Sequence, residues 1–274
     1  MILLDGKKLA QEQKEVLTAE IAKRVSIPHL AIIQIGNDAA SDVYVARKAT
    51  FGKAIGAEVT VLKLPEETTN EEAVLKINAL NNDRSVHGII IQLPVPAHIN
   101  KELVVNTIDQ TKDVDGLTAI NMWKLMDDKT GIVTATARGT VALLKAHSID
   151  LEGAHVVIVG DSLLVGKSLA MHLLNQNATV TVCHDKTKDL ASLTKQADIL
   201  VVAVGKPNLI SHFHVVPGQV VIDIGITRNA DGTVVGDVDF EAVKDIVAAI
   251  TPVPGGVGPI TVVSLFENLL EVTE

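Results

Sequence analysis

The chain has 274 residues, of which 47% are apolar and only 2% aromatic, and its formal net charge is −9. An acidic balance with no basic stretch to offset it gives no footing for nucleic-acid binding, and no apolar run approaches a membrane span, so neither partner is expected. The single cysteine, Cys183, excludes an intrachain disulfide and a thiolate metal cluster, and a core so poor in aromatics must be built from Val, Ile, Leu and Ala, which favours buried parallel strands covered by helices.

The apolar run of the N-terminal "MILLDGKK" is too short for a signal peptide, so the expected location is the cytoplasm. Up to about Leu117, the runs "LAIIQIG", "VTVLKL" and "HGIIIQLPV" alternate with segments of helical composition such as "NEEAVLKINALNND", the pattern of an open α/β unit. Within it, "SDVYVARKATFGKAI" holds the only tyrosine. If this stretch is helical, Tyr44, Lys48, Phe51 and Ile55 form one stripe, and a cation lies on an apolar face. Either Lys48 runs its methylenes along the stripe and lifts its ammonium into water, or it is held in a cleft where desolvation lowers its pKa and suits it to proton transfer. Gln92 stands at the carboxyl end of its strand, where open α/β sheets bind ligands. In "KDVDGL", Asp113 and Asp115 share a face if the chain is extended. A turn or cap is the plain reading of Asp113, and an equal one for Asp115 before Gly116.

A boundary is expected within 117–140, where a helix over "AINMWKLMDD" can bridge two units. Five further runs, "HVVIVG", "ATVTVCH", "DILVVAVG", "QVVIDIG" and "VAAIT", predict a doubly wound parallel sheet, and "VVSLFENLLEVTE" predicts a final helix. In "VVIVGDSLLVGKSLAMHLL" a strand meets a glycine turn and a helix start. Gly160 lets the chain leave the strand sharply, and Gly166 admits close approach of either a ligand phosphate or a packed helix. The glycine spacing is not the common dinucleotide pattern, but the next strand ends at His184 and Asp185, where dinucleotide folds hold the adenosine ribose. Cys183 reads as core filler, and the pair His212 and His214, with no third ligand nearby, as structural, so no metal is expected. The stretch "TPVPGGVGPIT" is stiffened by prolines and exposes backbone at Gly255 and Gly256, which suits a loop around a planar ligand better than a flexible linker.

Taken in order, "SDVYVARK", "IIQLPVP", "KDVDGL", "GDSLLVGKS", "VTVCHDKT", "ADILVVAVGKP", "VVIDIGI", "VGDVDF" and "TPVPGGVGP" resemble the bifunctional methylenetetrahydrofolate dehydrogenase/cyclohydrolase family over essentially the whole chain. The resemblance implies a folate-binding catalytic domain over 1–117 with a returning segment 252–274, and a Rossmann-like dinucleotide domain over 118–251, the last helix packing back on the first domain. It implies that Lys48 is the catalytic lysine, that Tyr44 packs on the folate, that Gln92 orients and tunes Lys48, and that Asp115 bonds the pterin. Pro254, Gly255 and Gly256 would wall the folate. Gly160, Asp161, Ser162, Val165, Gly166, His184, Asp185 and Ile226 would line the nucleotide site. It further implies a homodimer through the nucleotide domain and a place in one-carbon metabolism, including supply to purine biosynthesis.

The chain departs from the family pattern in its second half. Asp161 stands where an arginine is usual, Lys167 where a proline is common, and Asp185 where a serine is usual; Trp123 replaces a common glycine, and "TATA" (Thr134 to Ala137) replaces a "PCTP" stretch. NADP is the family's default cofactor. Asp161 and Asp185 would repel a ribose 2′-phosphate, which makes NAD or relaxed preference the expectation, with Lys186 the cation best placed to offset them. Two other readings stay open on the residues: a dehydrogenase of a small hydroxy or keto acid, which lacks an arginine among the cleft motifs to grip a carboxylate, and a folate-binding paralogue that has lost its nucleotide.

Overall fold

The structure is a computed structural model that describes residues 1–229 and 231–273. In chain order, β1 (Ile2–Leu3), α1 (Gly6–Ile21), β2 (His29–Ile35), α2 (Ala39–Ile55), β3 (Glu58–Leu64), α3 (Asn70–Asn82), β4 (Gly88–Ile91) and α4 (Lys101–Thr107) come first. They are followed by α5 (Ala119–Met126), α6 (Ala135–Ala146), β5 (His155–Val159), α7 (Ser168–Leu174), β6 (Thr179–Cys183), α8 (Leu190–Thr194), β7 (Ile199–Val202) and β8 (Val220–Asp223). The short β9 (Thr227–Arg228), β10 (Val234–Val235), α9 (Phe240–Val243) and β11 (Ala249–Ile250) lead to α10 (Val257–Val272). The chain divides into two compact units, one of residues 12–135 and 262–274, the other of 1–11 and 136–261.

The first unit is built on a three-stranded parallel sheet in the order β3-β2-β4. Every residue of β2 and β4 is buried, His29 and Gln34 of β2 included, as in strands covered on both faces, whereas β3 is the exposed edge. Ala31, Ile33, Ile77, Ile89 and Val104 share its core, each Ile or Val side chain contributing about 1.5–3 kcal/mol by leaving water. The Asp38 carboxylate starts α2 by accepting from Ser41 N at 2.7 Å, and a capping box between Thr69 and Glu72 starts α3. The end of α10 belongs here. Phe266 packs its ring 5.4 Å from that of Phe51, and Asn268 Nδ2 donates to the carbonyls of Val114 and Val133, both at 2.9 Å.

The second unit is a six-stranded, wholly parallel sheet in the order β1-β11-β8-β7-β5-β6. After β5 the chain goes outward to β6 and then returns past β5 to β7, so the winding reverses at β5. Val157, Leu200, Val202, Val221 and Ile250 fill one side of it, together with Cys183, which is fully buried. The α/β class and doubly wound sheet are those expected.

The division of the chain differs from the expected boundaries at 117/118 and 251/252. Residues 1–11 join the larger sheet because Ile2 pairs with Ala249 and Leu3 with Ile250. Residues 118–135 stay in the first unit, tied by bonds from Thr118 N and Asn121 Nδ2 to Asp113, and with them the "AINMWKLMDD" helix. The proline and glycine loop also changes side: Gly255 O accepts from Lys7 N at 2.9 Å at the start of α1, and only 262–274 return to the first unit.

Candidate active site

In the first unit, the end of β4 and the middle of α2 bring two of the expected residues together. Lys48 Nζ donates to Gln92 Oε1 at 3.0 Å. Gln92 is held in turn, its Nε2 donating to Leu93 O at 2.7 Å and its backbone N to Ile33 O at 2.8 Å. With only 8% of its surface exposed, it has little freedom to turn away. Lys48 is half-buried, and desolvation pushes the pKa of its amine below the usual lysine range against the opposing pull of the Asp115 carboxylate. Burial likewise raises the pKa of Asp115, with Lys48 opposing and Asp113 reinforcing the shift. Of the two readings of the stripe, the geometry favours the lysine held in a cleft.

Tyr44 lies one turn before Lys48 on α2 and is half-buried, with the Arg47 guanidinium 6.0 Å from its ring centre. A ring so placed offers an apolar face next to the amine. Asp113 and Asp115 separate into two roles. The buried Asp113 carboxylate accepts from Gly116 N, Leu117 N, Thr118 N and Asn121 Nδ2 at 2.8–3.3 Å, so it is the turn clamp that its plain reading describes. Asp115 takes none of these donors and remains the half-buried acid that feels Lys48.

In the second unit, the carboxyl end of β5 opens at the point where the winding reverses, the usual ligand crevice of such sheets. Gly160 has φ +124, and a Cβ there would lie 2.3 Å from Ala203 O; a Cβ on Gly166 would lie 1.9 Å from Gly160 O. Close packing of the helix start on the strand end is therefore what requires Gly166. A π-helical turn over Leu163–Lys167 follows, capped by the Ser162 hydroxyl, which accepts from Val165 N at 3.3 Å. Asp161 and Ser162 are exposed at its mouth. At the end of β6, His184 Nδ1 accepts from Lys186 N at 3.1 Å, and Asp185 pairs with Lys186 Nζ at 2.7 Å, all three side chains being exposed. Ile226 is 43% exposed beyond the end of β8. The bare backbone of 160–162 at the reversal point, with an exposed apolar Ile226, fits a dinucleotide.

Pro254, Gly255 and Gly256 also lie in this unit, Gly256 O facing the start of α1 at Gly6. His212 and His214 occupy a single 3-10 turn, where His214 Nδ1 accepts from Ser211 N at 3.2 Å. Among the described residues, no cluster of three or more His, Cys, Asp or Glu side chains is placed to hold a metal ion. Two acids unmarked in the sequence, Asp223 at the end of β8 and Asp237, are buried beneath the loops of the crevice. Their signal was present, since each interrupts an otherwise apolar run.

Residues 4–115 match the sequence model of the tetrahydrofolate dehydrogenase/cyclohydrolase catalytic domain, and residues 134–274 match that of the NAD(P)-binding domain of the same family. The chain is 49% identical to the bifunctional protein FolD of Francisella tularensis subsp. holarctica over 99% of this chain and 98% of that protein. It is similar to the crystal structure of the bifunctional FolD methylenetetrahydrofolate dehydrogenase/cyclohydrolase of Campylobacter jejuni, with 45% identity, a TM-score of 0.97 and coverage of 99% and 98%. The Trypanosoma brucei dehydrogenase-cyclohydrolase, described as complexed with NADP and an inhibitor, is 34% identical with a TM-score of 0.94, over 99% and 97% of the two chains.

Proposed function

The chain belongs to the tetrahydrofolate dehydrogenase/cyclohydrolase family and is a bifunctional methylenetetrahydrofolate dehydrogenase and methenyltetrahydrofolate cyclohydrolase; from that premise we propose that Lys48, held by Gln92, handles the proton of the hydrolytic step. The observation that carries this is the 3.0 Å bond from a desolvated amine to a fixed carbonyl oxygen.

The chemistry explains why a depressed lysine pKa is useful. In the dehydrogenase step a methylene carbon bridging two folate nitrogens loses hydride and becomes a cationic methenyl group. When bound, NAD(P) supplies the acceptor for that hydride. A fixed ammonium beside the cation would repel it, so the neutral amine is the form that suits both steps. Water then adds to the methenyl carbon, and the Lys48 amine takes a proton from it as the carbon–oxygen bond forms. One carbon–nitrogen bond breaks, its nitrogen keeping the electron pair and taking up a proton, to give formyltetrahydrofolate with net release of one proton. Gln92 Oε1 fixes the amine by accepting one of its hydrogens, which aims the lone pair elsewhere. Tyr44 supplies a stacking face for the folate ring, and Asp115, free of the turn's donors, bonds the pterin.

Gly160, Asp161, Ser162, Val165, Gly166, His184, Asp185 and Ile226 hold the dinucleotide in this reading. As to which dinucleotide, Asp161 is exposed and Lys186 is already engaged by Asp185. That leaves no uncommitted cation in the 184–186 turn for a 2′-phosphate, and it supports NAD or relaxed preference over strict NADP use. A cytoplasmic location and a homodimer through the nucleotide unit, whose edge strand β6 leaves one side unpaired, belong to the same proposal. Separate titrations of the dialysed protein with dinucleotide and with a folate analogue test it: the enzyme binds both, whereas binding of the folate analogue alone would identify a paralogue without nucleotide.

A further inference from the structure

The two peptide units that flank Asp115 are each held by a buried side chain. On one side, Gly116 N donates to Asp113 Oδ1 at 2.9 Å. On the other, Val114 O accepts at 2.9 Å from Nδ2 of Asn268, a residue 154 positions further along the chain. A peptide unit is planar, so a bond to its oxygen or its N–H restrains the Cα at both of its ends. Asp115 Cα belongs to both units, and the acid is left with little freedom beyond its own side-chain rotation.

Asn268 lies on α10 and is fully buried. Its neighbours Leu265, Phe266, Leu269 and Leu270 are buried and apolar, and an amide in such a stretch costs free energy unless it is hydrogen-bonded. The Nδ2 group reaches a second carbonyl, that of Val133, also at 2.9 Å, so each of its two hydrogens serves one acceptor. That second bond involves the segment on which the turn rests: Gly116 has φ +70, and a Cβ there would lie 2.7 Å from Ile132 O and 3.0 Å from Thr134 N. One side chain thus ties the peptide before Asp115 to the backbone that walls the residue after it.

The helix that carries Asn268 is anchored on both sides. Phe266 packs its ring 5.4 Å from that of Phe51, and a Cβ on Gly52 would lie 2.7 Å from Phe266 Cζ; Phe51 and Gly52 follow Lys48 by about one turn of α2. At the start of β4, a Cβ on Gly88 would lie 2.7 Å from Leu269 Cδ1 and 2.7 Å from Val114 Cγ1. These close approaches fix the register of α10 against α2 and β4, and the Asn268 amide passes that register on to the turn that bears Asp115.

We propose that Asn268 is a positioning residue for Asp115: by holding the Val114 carbonyl to the 132–134 segment, it sets the backbone from which the Asp115 carboxyl reaches the pterin. The inference rests on the folate-binding role given to Asp115 above. Asn268 itself need not touch the substrate, and its effect passes through the acid.

A double-mutant cycle separates this role from plain packing. Dissociation constants for tetrahydrofolate are measured anaerobically in the unmodified protein, in Asn268→Leu, in Asp115→Ala and in the double variant. Leucine fills a similar space and donates no hydrogen bond. With Asp115 present, Asn268→Leu should weaken tetrahydrofolate binding by about threefold to tenfold, the scale of coupling within one hydrogen-bonded network. In the Asp115→Ala background the same substitution should change binding by no more than the roughly twofold scatter of independent sites. Dinucleotide affinity should be the same in all four proteins, and the melting temperature should fall equally on Asn268→Leu in both backgrounds, so that general destabilisation cancels. An equal loss of tetrahydrofolate affinity in both backgrounds, or no loss in either, overturns the proposal. Unaltered affinity in Asp115→Ala alone would instead overturn the pterin-binding role of Asp115 on which the proposal rests. Should Asn268→Leu not fold, Asn268→Ser, whose shorter hydroxyl cannot serve both carbonyls, enters the same cycle with the same two outcomes.

Discussion

Lys48 and Gln92 are 44 positions apart and belong to different elements, yet Nζ of the one donates to Oε1 of the other at 3.0 Å. The bond spans the two parts of the first unit that the parallel sheet places side by side: the middle of α2 and the carboxyl end of β4. Because an amide oxygen stabilises an ammonium more than an amine, the bond partly offsets the desolvation that lowers the Lys48 pKa. Cyclohydrolase kcat/KM should therefore rise with pH along a limb set by Lys48, below the usual lysine range. In Gln92→Met the limb should move to lower pH, and the plateau should drop by about tenfold or more as the amine loses its fixed orientation. A pH–rate profile of both proteins checks this; an unmoved limb would remove Gln92 from the lysine's environment.

Asp115→Ala should act mainly on binding. The carboxyl group lies free of the turn that Asp113 clamps, so the turn should survive its loss. Folate affinity should fall by about 1–3 kcal/mol, the cost of one lost buried hydrogen bond. Titration with a folate analogue measures it, and dinucleotide affinity should not move. Asp113→Ala should behave differently, lowering the melting temperature, because four donors would lose their acceptor.

Cofactor preference turns on Asp161. It is an exposed acid at the mouth of the glycine turn, and repulsion from a dianionic phosphate there is worth about 1 kcal/mol per charge pair in water. Asp161→Arg should raise kcat/KM for NADP relative to NAD by about tenfold or more, since it replaces repulsion with attraction. Strong NADP preference in the unmodified enzyme, with no gain from the arginine, would mean that Asp161 points away from the ribose phosphate.

Stability should carry a signature of Asp223. Its folded pKa, near 6, is above the ordinary aspartate value of 3.8. Between those values the folded chain binds more protons than the unfolded one, so its stabilising contribution is complete below about pH 4 and is lost as pH rises through 6. Relative to Asp223→Asn, the unmodified protein should lose about 3 kcal/mol of unfolding free energy over that window, from a shift of about two units. Denaturant unfolding of both proteins at intervals from pH 4 to 7 tests the sign as well as the size.

Much of the architecture is readable because the strands are buried on both faces: "LAIIQI", apolar but for Gln34, lies in β2, and "GIII" is β4. The stripe of Tyr44, Lys48, Phe51 and Ile55 was readable because helical spacing is local. The pairing of Ile2 with Ala249 was not, since two-residue strands have no period and their partner lies at the far end of the chain. The bond of Lys186 to Asp185 depends on side-chain direction, which sequence spacing leaves open. Asp223 and Asp237 stand out as acids in apolar surroundings, but only the fold shows that the Asp223 carboxylate accepts from Asp237 N.

If the amine of Lys48 takes the proton in hydrolysis of the methenyl group, Lys48→Met removes that step. The variant keeps the length and apolar character of the stem and removes only the titratable end. General-base assistance is worth about 10²–10⁴-fold, so methenyltetrahydrofolate hydrolysis should fall at least that far toward the uncatalysed rate, with dinucleotide affinity and melting temperature unchanged. Hydrolysis by Lys48→Met at the rate of the unmodified enzyme would contradict the account.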